Sequence, residues 1–213
     1  DTLSLAANAT LTDADFGTNI TDIEVLRAAS TGASSLTVGL KAQGSGIRTV
    51  IGGDANDTLD AAAFTTGMTL TGGTGDDSLV VSTGAILGQS SILGGTGTDT
   101  LSLAVDALSV TDADFVGTSS IEVLKTANGN NRVILGANAK TAGISMVVGR
   151  DGKDTLDASA YTTGITLNGG TGIDSLLGGT ENDYFIVDSN SDVIVDAGGI
   201  DTEATSDTNT TLI

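Results

Sequence analysis

The chain has 213 residues, 30 of them Gly and only six aromatic, and it contains no Cys, His, Pro or Trp. That inventory excludes Ser-His-Asp and Cys-His catalysis within the chain and leaves zinc without a soft ligand. With 27 acidic against 8 basic residues, net charge −19, the surface repels nucleic-acid phosphates and anionic lipid, so neither is an expected partner. The hydrophobic share of 39% and the mean hydropathy of +0.20 argue against disorder. A thin core of Leu, Ile, Val, Ala and Thr is expected, with glycines at its corners.

Along the chain the apolar residues fall in short clusters: Leu3/Leu5, Ile23/Val25, Leu36/Val38, Val50/Ile51, Leu59, Met68/Leu70 and Leu79/Val81. They alternate with Thr, Ser or Asp and are soon followed by Gly or Asn, which predicts short strands. No segment has helical periodicity; TDADF at Thr12 and Thr111 suits a single turn. No apolar run approaches the ~20 residues of a membrane span, so no membrane insertion is expected. No signal-peptide pattern opens the chain, and Asp1 falls in mid-pattern, as in a fragment.

The text then repeats. DTLSLAANATLTDADF at Asp1 recurs as DTLSLAVDALSVTDADF at Asp99, and IEVL at Ile23 recurs at Ile121. DTLDAAAFTTGMTLTGGTGDDSL at Asp57 recurs at Asp154 with 18 of 23 positions identical, which predicts two copies of one unit. The units are residues 1–98 and 99–213, read as one continuous elongated domain, and repetition at this period favours a solenoid over a sandwich.

Six segments follow the nonapeptide G-G-x-G-x-D-x-U-x, with U a large apolar residue: GGDANDTLD at Gly52, GGTGDDSLV at Gly72, GGTGTDTLS at Gly94, GRDGKDTLD at Gly149, GGTGIDSLL at Gly169 and GGTENDYFI at Gly178. Ala55, Arg150 and Glu181 each replace a glycine. Such a turn passes through positive φ and aims carbonyl oxygens into the bend, while the sixth residue adds a carboxylate. These hard oxygens suit Ca²⁺, which takes six to eight of them, so two turns must stack around each ion. The candidate carboxylates are Asp57, Asp77, Asp99, Asp154, Asp174 and Asp183. The candidate turn glycines are Gly53, Gly73, Gly75, Gly95, Gly97, Gly152, Gly170, Gly172 and Gly179. Gly52 to Gly72 is 20 residues and Gly72 to Gly94 is 22, so Asp57, Asp77 and Asp99 are expected along one edge, a relation that Asp154 and Asp174 repeat. Gly178 follows Gly169 by nine residues, half a coil, which places Asp183 on the opposite edge with Asp201 as its stacking partner.

These nonapeptides, with the closing stretch NDYFIVDSNSDVIVDAGGIDTEATS, resemble the RTX (haemolysin-type) calcium-binding repeats of type I secreted bacterial proteins. The longer spacers are similar to those of surface-layer and adhesin members. The resemblance implies an all-β, right-handed parallel β-solenoid of β-roll type with Ca²⁺ between stacked Gly-rich loops, exported unfolded and folding outside the cell.

Other residues take plainer readings. Asp13, Asp15, Asp112 and Asp114 of the TDADF segments are either further ligands or a turn or cap. Asp60 and Asp157 follow the inward Leu and are either solvated or support the ligands from behind, and Asp54, Asp76 and Asp151 are surface charge. Phe64 and Tyr161 cover a corner of the core or, alternatively, stack on sugar. DGKDTLD at Asp151 lacks the central Gly and closing Glu of an EF-hand, and there is no Walker loop. Three functions remain open. The first is a structural module of a surface protein that packs with neighbouring repeats or other copies; the second is the secretion and folding module of an exported enzyme or toxin. The third, a calcium-dependent polysaccharide lyase, fits less well, because the acids recur in every coil as structural ligands do. No enzymatic activity is therefore expected.

Overall fold

The computed structural model describes residues 1–17, 19–106 and 108–205; residues 206–213, the end of the expected second unit, lie outside them. The chain divides into two compact units, Asp1–Ala104 with Gly117–Ile121, and Val105–Val116 with Glu122–Ile213.

In the first unit the expected short strands form two parallel stacks. One runs in the order Thr2–Ser4, Val25–Arg27, Thr49–Gly53, Thr69–Thr74, Ser91–Thr96 and Thr118–Ser119. The other runs Thr10–Leu11, Ser35–Thr37, Thr58–Ala61, Ser78–Val81 and Thr100–Leu103. Each step up a stack is one coil, the arrangement of a parallel β-solenoid. The register places like on like: Leu26, Val50, Leu70 and Ile92 are successive partners on one face, and Leu36, Leu59, Leu79 and Leu101 on the other. All eight side chains are fully buried. Burying a branched side chain contributes roughly 1.5–3 kcal/mol, so these ladders are the main cohesive element of a unit poor in aromatics.

The second unit repeats the plan. Leu124, Val147, Leu167 and Phe185 are register partners on one face, and Val110, Val133, Leu156, Leu176 and Ile194 on the other. A parallel pair, Asp151–Gly152 with Thr171–Gly172, lies within its glycine turns.

Three short helices, Leu40–Gly44, Gly84–Leu87 and Ala137–Ala142, were not expected from the sequence. With four to six residues each, they are too brief for a 3.6-residue period to register. TDADF forms the single turn expected of it, a 3₁₀ segment at Asp13–Asp15 and again at Asp112–Phe115. Phe64 and Tyr161 are buried, with the Tyr161 hydroxyl donating to the Ile144 carbonyl at 3.1 Å, so both are core corners without a face for sugar. Among the described residues no helix is long and apolar enough to cross a membrane.

Candidate metal centre

The G-G-x-G-x-D turn is the corner that joins the end of one strand to the start of the next. In the first unit Gly53 pairs with Gly73 and Gly73 with Gly95, so successive turns lie directly over one another. At several of these glycines nothing larger fits. A Cβ on Gly73 or Gly95 would strike the carbonyl oxygen of Gly53 or Gly73 one coil below, and one on Gly97 would strike that of Gly75. Gly73, Gly75, Gly95 and Gly97 also have φ between 114° and 130°, which L side chains rarely adopt. In the second unit Gly152, Gly170 and Gly172 likewise have positive φ, and Gly152 pairs with Gly172. Arg150, standing where a glycine is expected, is itself held at φ 71°.

The sixth-position aspartates are brought together as their spacing predicts, and all six are buried. Asp77 Oδ1 accepts the Asp57 N–H at 2.7 Å, and Asp99 Oδ1 accepts the Asp77 N–H at 2.8 Å. Below them the Ser34 N–H donates to Asp57 Oδ1 at 2.6 Å. The second unit has an equivalent column, in which Asn131 donates to Asp154, Asp154 to Asp174, and Asp174 to Asp192, at 2.6, 2.7 and 2.8 Å. Asp183 belongs to a separate column, accepting from Ile165 and donating its N–H to Asp201 Oδ1, both at 2.9 Å. Each aspartate thus ties its coil to the previous one through a single oxygen.

The other oxygen distinguishes the turns. Oδ2 of Asp77, Asp154 and Asp174 is buried and makes no hydrogen bond. It faces the first glycine of its own turn, Gly72, Gly149 or Gly169. In the turn where Glu181 replaces the third glycine, the Gly179 N–H donates to Asp183 Oδ2 at 2.7 Å. The Ala55 turn does not share this: Asp57 Oδ2 is buried without a hydrogen bond and faces Gly52. The Glu181 turn therefore completes its carboxylate internally, whereas those of Asp57, Asp77, Asp154 and Asp174 do not.

Electrostatics follow from this. Burial pushes the Asp77 carboxyl up to about 7; the Asp57 amide opposes the shift, and the charges of Asp99, Asp57 and Asp76 add to it. Burial pushes Asp174 up to about 6, opposed by the Asp154 amide and reinforced by Asp154, Asp192 and Asp188. Asp57 and Asp154 are raised for the same first reason. A column of buried carboxylates is stable only when its charge is neutralised, by protons or by a cation. Its unpartnered oxygens are hard donors of the kind that Ca²⁺ accepts.

Residues missed by the motif reading lie in the closing stretch. Asp174, Asp188 and Asp192 offer carboxylate oxygens within 4.8 Å of one another, as do Asp183, Asp196 and Asp201. Asp174, Asp183, Asp192 and Asp201 fall at intervals of nine residues, the one signal that could have found Asp192; its turn carries no glycine. The TDADF aspartates are satisfied otherwise. Asp13 accepts from Gly39, Lys41 and Ala42 at the start of helix Leu40–Gly44, and Asp112 from Gly136, Asn138 and Ala139 at the start of helix Ala137–Ala142. Asp15 and Asp114 each accept from the amide and hydroxyl of Thr12 or Thr111. Asp76 is more than surface charge: its N–H donates to Asn56 Oδ1 at 2.9 Å, and its Oδ1 accepts the Thr98 N–H at 2.7 Å, forming an outer ladder.

Fold and turns together define a parallel β-solenoid whose corners stack buried aspartates. No family model, curated protein or solved structure matches the chain, so the likeness to haemolysin-type repeats rests on its motifs.

Proposed function

We propose that this chain is a calcium-binding structural repeat module of a large secreted bacterial surface protein (a surface layer, adhesin or extracellular matrix) that folds on binding Ca²⁺ outside the cell and packs with neighbouring repeats or other copies. The observation that carries the reading is the buried, unpartnered Oδ2 of Asp77, Asp154 and Asp174 in Gly-rich turns of both units. A non-enzymatic role fits acids that recur in equivalent places coil after coil. Sites in extracellular modules bind at about 10⁻⁴–10⁻³ M, so several such sites at ~1 mM free Ca²⁺ supply stabilisation comparable with a domain's net stability. Circular dichroism of the chain in EDTA is expected to show coil, with strand restored by millimolar Ca²⁺; a strand spectrum indifferent to EDTA refutes the proposal.

A second reading, the secretion and folding module of a type I secreted enzyme or toxin, draws on the nine-residue rhythm from Asp174 to Asp201, the compact spacing of back-to-back nonapeptides. The parent gene separates the two: many further copies of the unit favour the structural role, and a catalytic domain beside it favours export.

A further inference from the structure

We infer that Asp174, Asp188 and Asp192 form a three-carboxylate site for a divalent cation of the calcium class, distinct in make-up from the Gly-rich turns. The inference rests on the calcium reading for Asp174 and adds two ligands that no G-G-x-G-x-D turn contains.

The three carboxylates approach within 4.8 Å of one another. Clustered acids alone do not make a site, and the deciding feature is Asp174. It is 1% exposed; its Oδ1 takes the Asp154 N–H, and its Oδ2 is buried with no hydrogen bond. Asp192 is held in place from both sides: Oδ1 accepts the Asp174 N–H at 2.8 Å, and Oδ2 accepts the amides of Asp188 and Ser189, each at 3.2 Å. Asp188 stands one coil on from Gly170, at a turn position that is glycine in five of the six nonapeptides. It and Asp192 are half-buried, leaving room for water to complete a coordination shell. Three carboxylates, two of them held by backbone amides, suit the larger, geometrically tolerant Ca²⁺ better than octahedral Mg²⁺. The neighbouring trio of Asp183, Asp196 and Asp201 lacks the deciding feature, because both oxygens of Asp183 accept amides.

The test is calcium titration calorimetry of the full chain and of Asp188→Asn, with Asp196→Asn as the matched control. Asp188→Asn is expected to lose one bound ion, or to weaken one site by roughly tenfold or more, while its strand spectrum in saturating Ca²⁺ stays intact. Asp196→Asn is expected to keep that site. If the parent chain binds no Ca²⁺, the proposed function itself fails. If the parent binds and Asp188→Asn binds identically, this site alone is overturned. Should Asp188→Asn not fold, carboxyl ¹³C NMR of the parent chain decides: Asp188 and Asp192 resonances that move together on adding Ca²⁺ support the site, and resonances that stay put overturn it.

Discussion

Asp13 and Asp77 belong to the same unit and carry the same carboxylate, yet the fold treats them oppositely. Asp13 is half-buried at a corner where helix Leu40–Gly44 begins, and three amide groups converge on its two oxygens. Asp77 is buried in a glycine turn where one amide reaches Oδ1 and nothing reaches Oδ2. The second unit repeats the contrast with Asp112 and Asp174. A helix start offers several N–H groups without intrahelical partners, whereas stacked parallel strands use theirs on the neighbouring coil. An aspartate at the first kind of corner is completed by the protein, whereas Asp77 and Asp174 at the second keep one buried oxygen without a hydrogen bond.

The largest expected effect breaks that comparison directly. Asp77→Ala removes a proposed ligand and leaves the Asp57 amide buried without its acceptor, at about 1–3 kcal/mol for the amide alone. In calorimetry it is expected to bind fewer calcium ions. Asp13→Ala removes a cap worth about 0.5–2 kcal/mol, lowering the urea midpoint in saturating Ca²⁺ with the number of ions unchanged. Equal loss of bound calcium in both variants would erase the distinction.

A pH experiment sharpens it. The folded carboxyls of Asp77 and Asp174 are raised to about 7 and about 6, above the ordinary ~3.9 of an unfolded aspartate. The folded chain then binds these protons more tightly than the unfolded chain does. The stability they contribute is complete below about pH 4 and is lost as pH rises through about 6–7. In chelator, circular dichroism is expected to show more strand at pH 5 than at pH 8; with Ca²⁺ present, strand persists at pH 8 because the cation replaces the proton. Strand that disappears on acidification from pH 8 to 5 in chelator contradicts the assignment.

The smallest effect concerns Asp76, one residue from Asp77. Asp76→Ala loses an exposed acceptor for the Thr98 amide, a cost of about 0.5–1 kcal/mol in urea unfolding, with calcium binding unchanged. A loss of calcium there would mean that the fifth position of the turn, rather than the sixth, faces the ion.

Much of this arrangement was legible in the residues. The nonapeptides identified the column Asp57, Asp77, Asp99 and the pairing of Asp183 with Asp201, because coil length equals the spacing between motifs and like residues must then stack. Asp188 and Asp192 escaped because their turn has lost the flanking glycines that advertise the others, even though Asp192 keeps the nine-residue step, and Asp196 because it precedes the Gly198–Gly199 pair instead of following it. The short helices escaped because a single turn has no period.

The sequence by itself determined the repeat, the two inward ladders and the identity of the turn residues, since alternation and glycine placement are local properties read within ten residues. Only the tertiary structure decided which aspartate oxygens are completed and which are left over. The amides that satisfy Asp13 come from residues 26–29 positions away, and the one that satisfies Asp77 from 20 away on the adjacent coil. Whether a second donor arrives depends on how each corner turns in space, which no local pattern encodes.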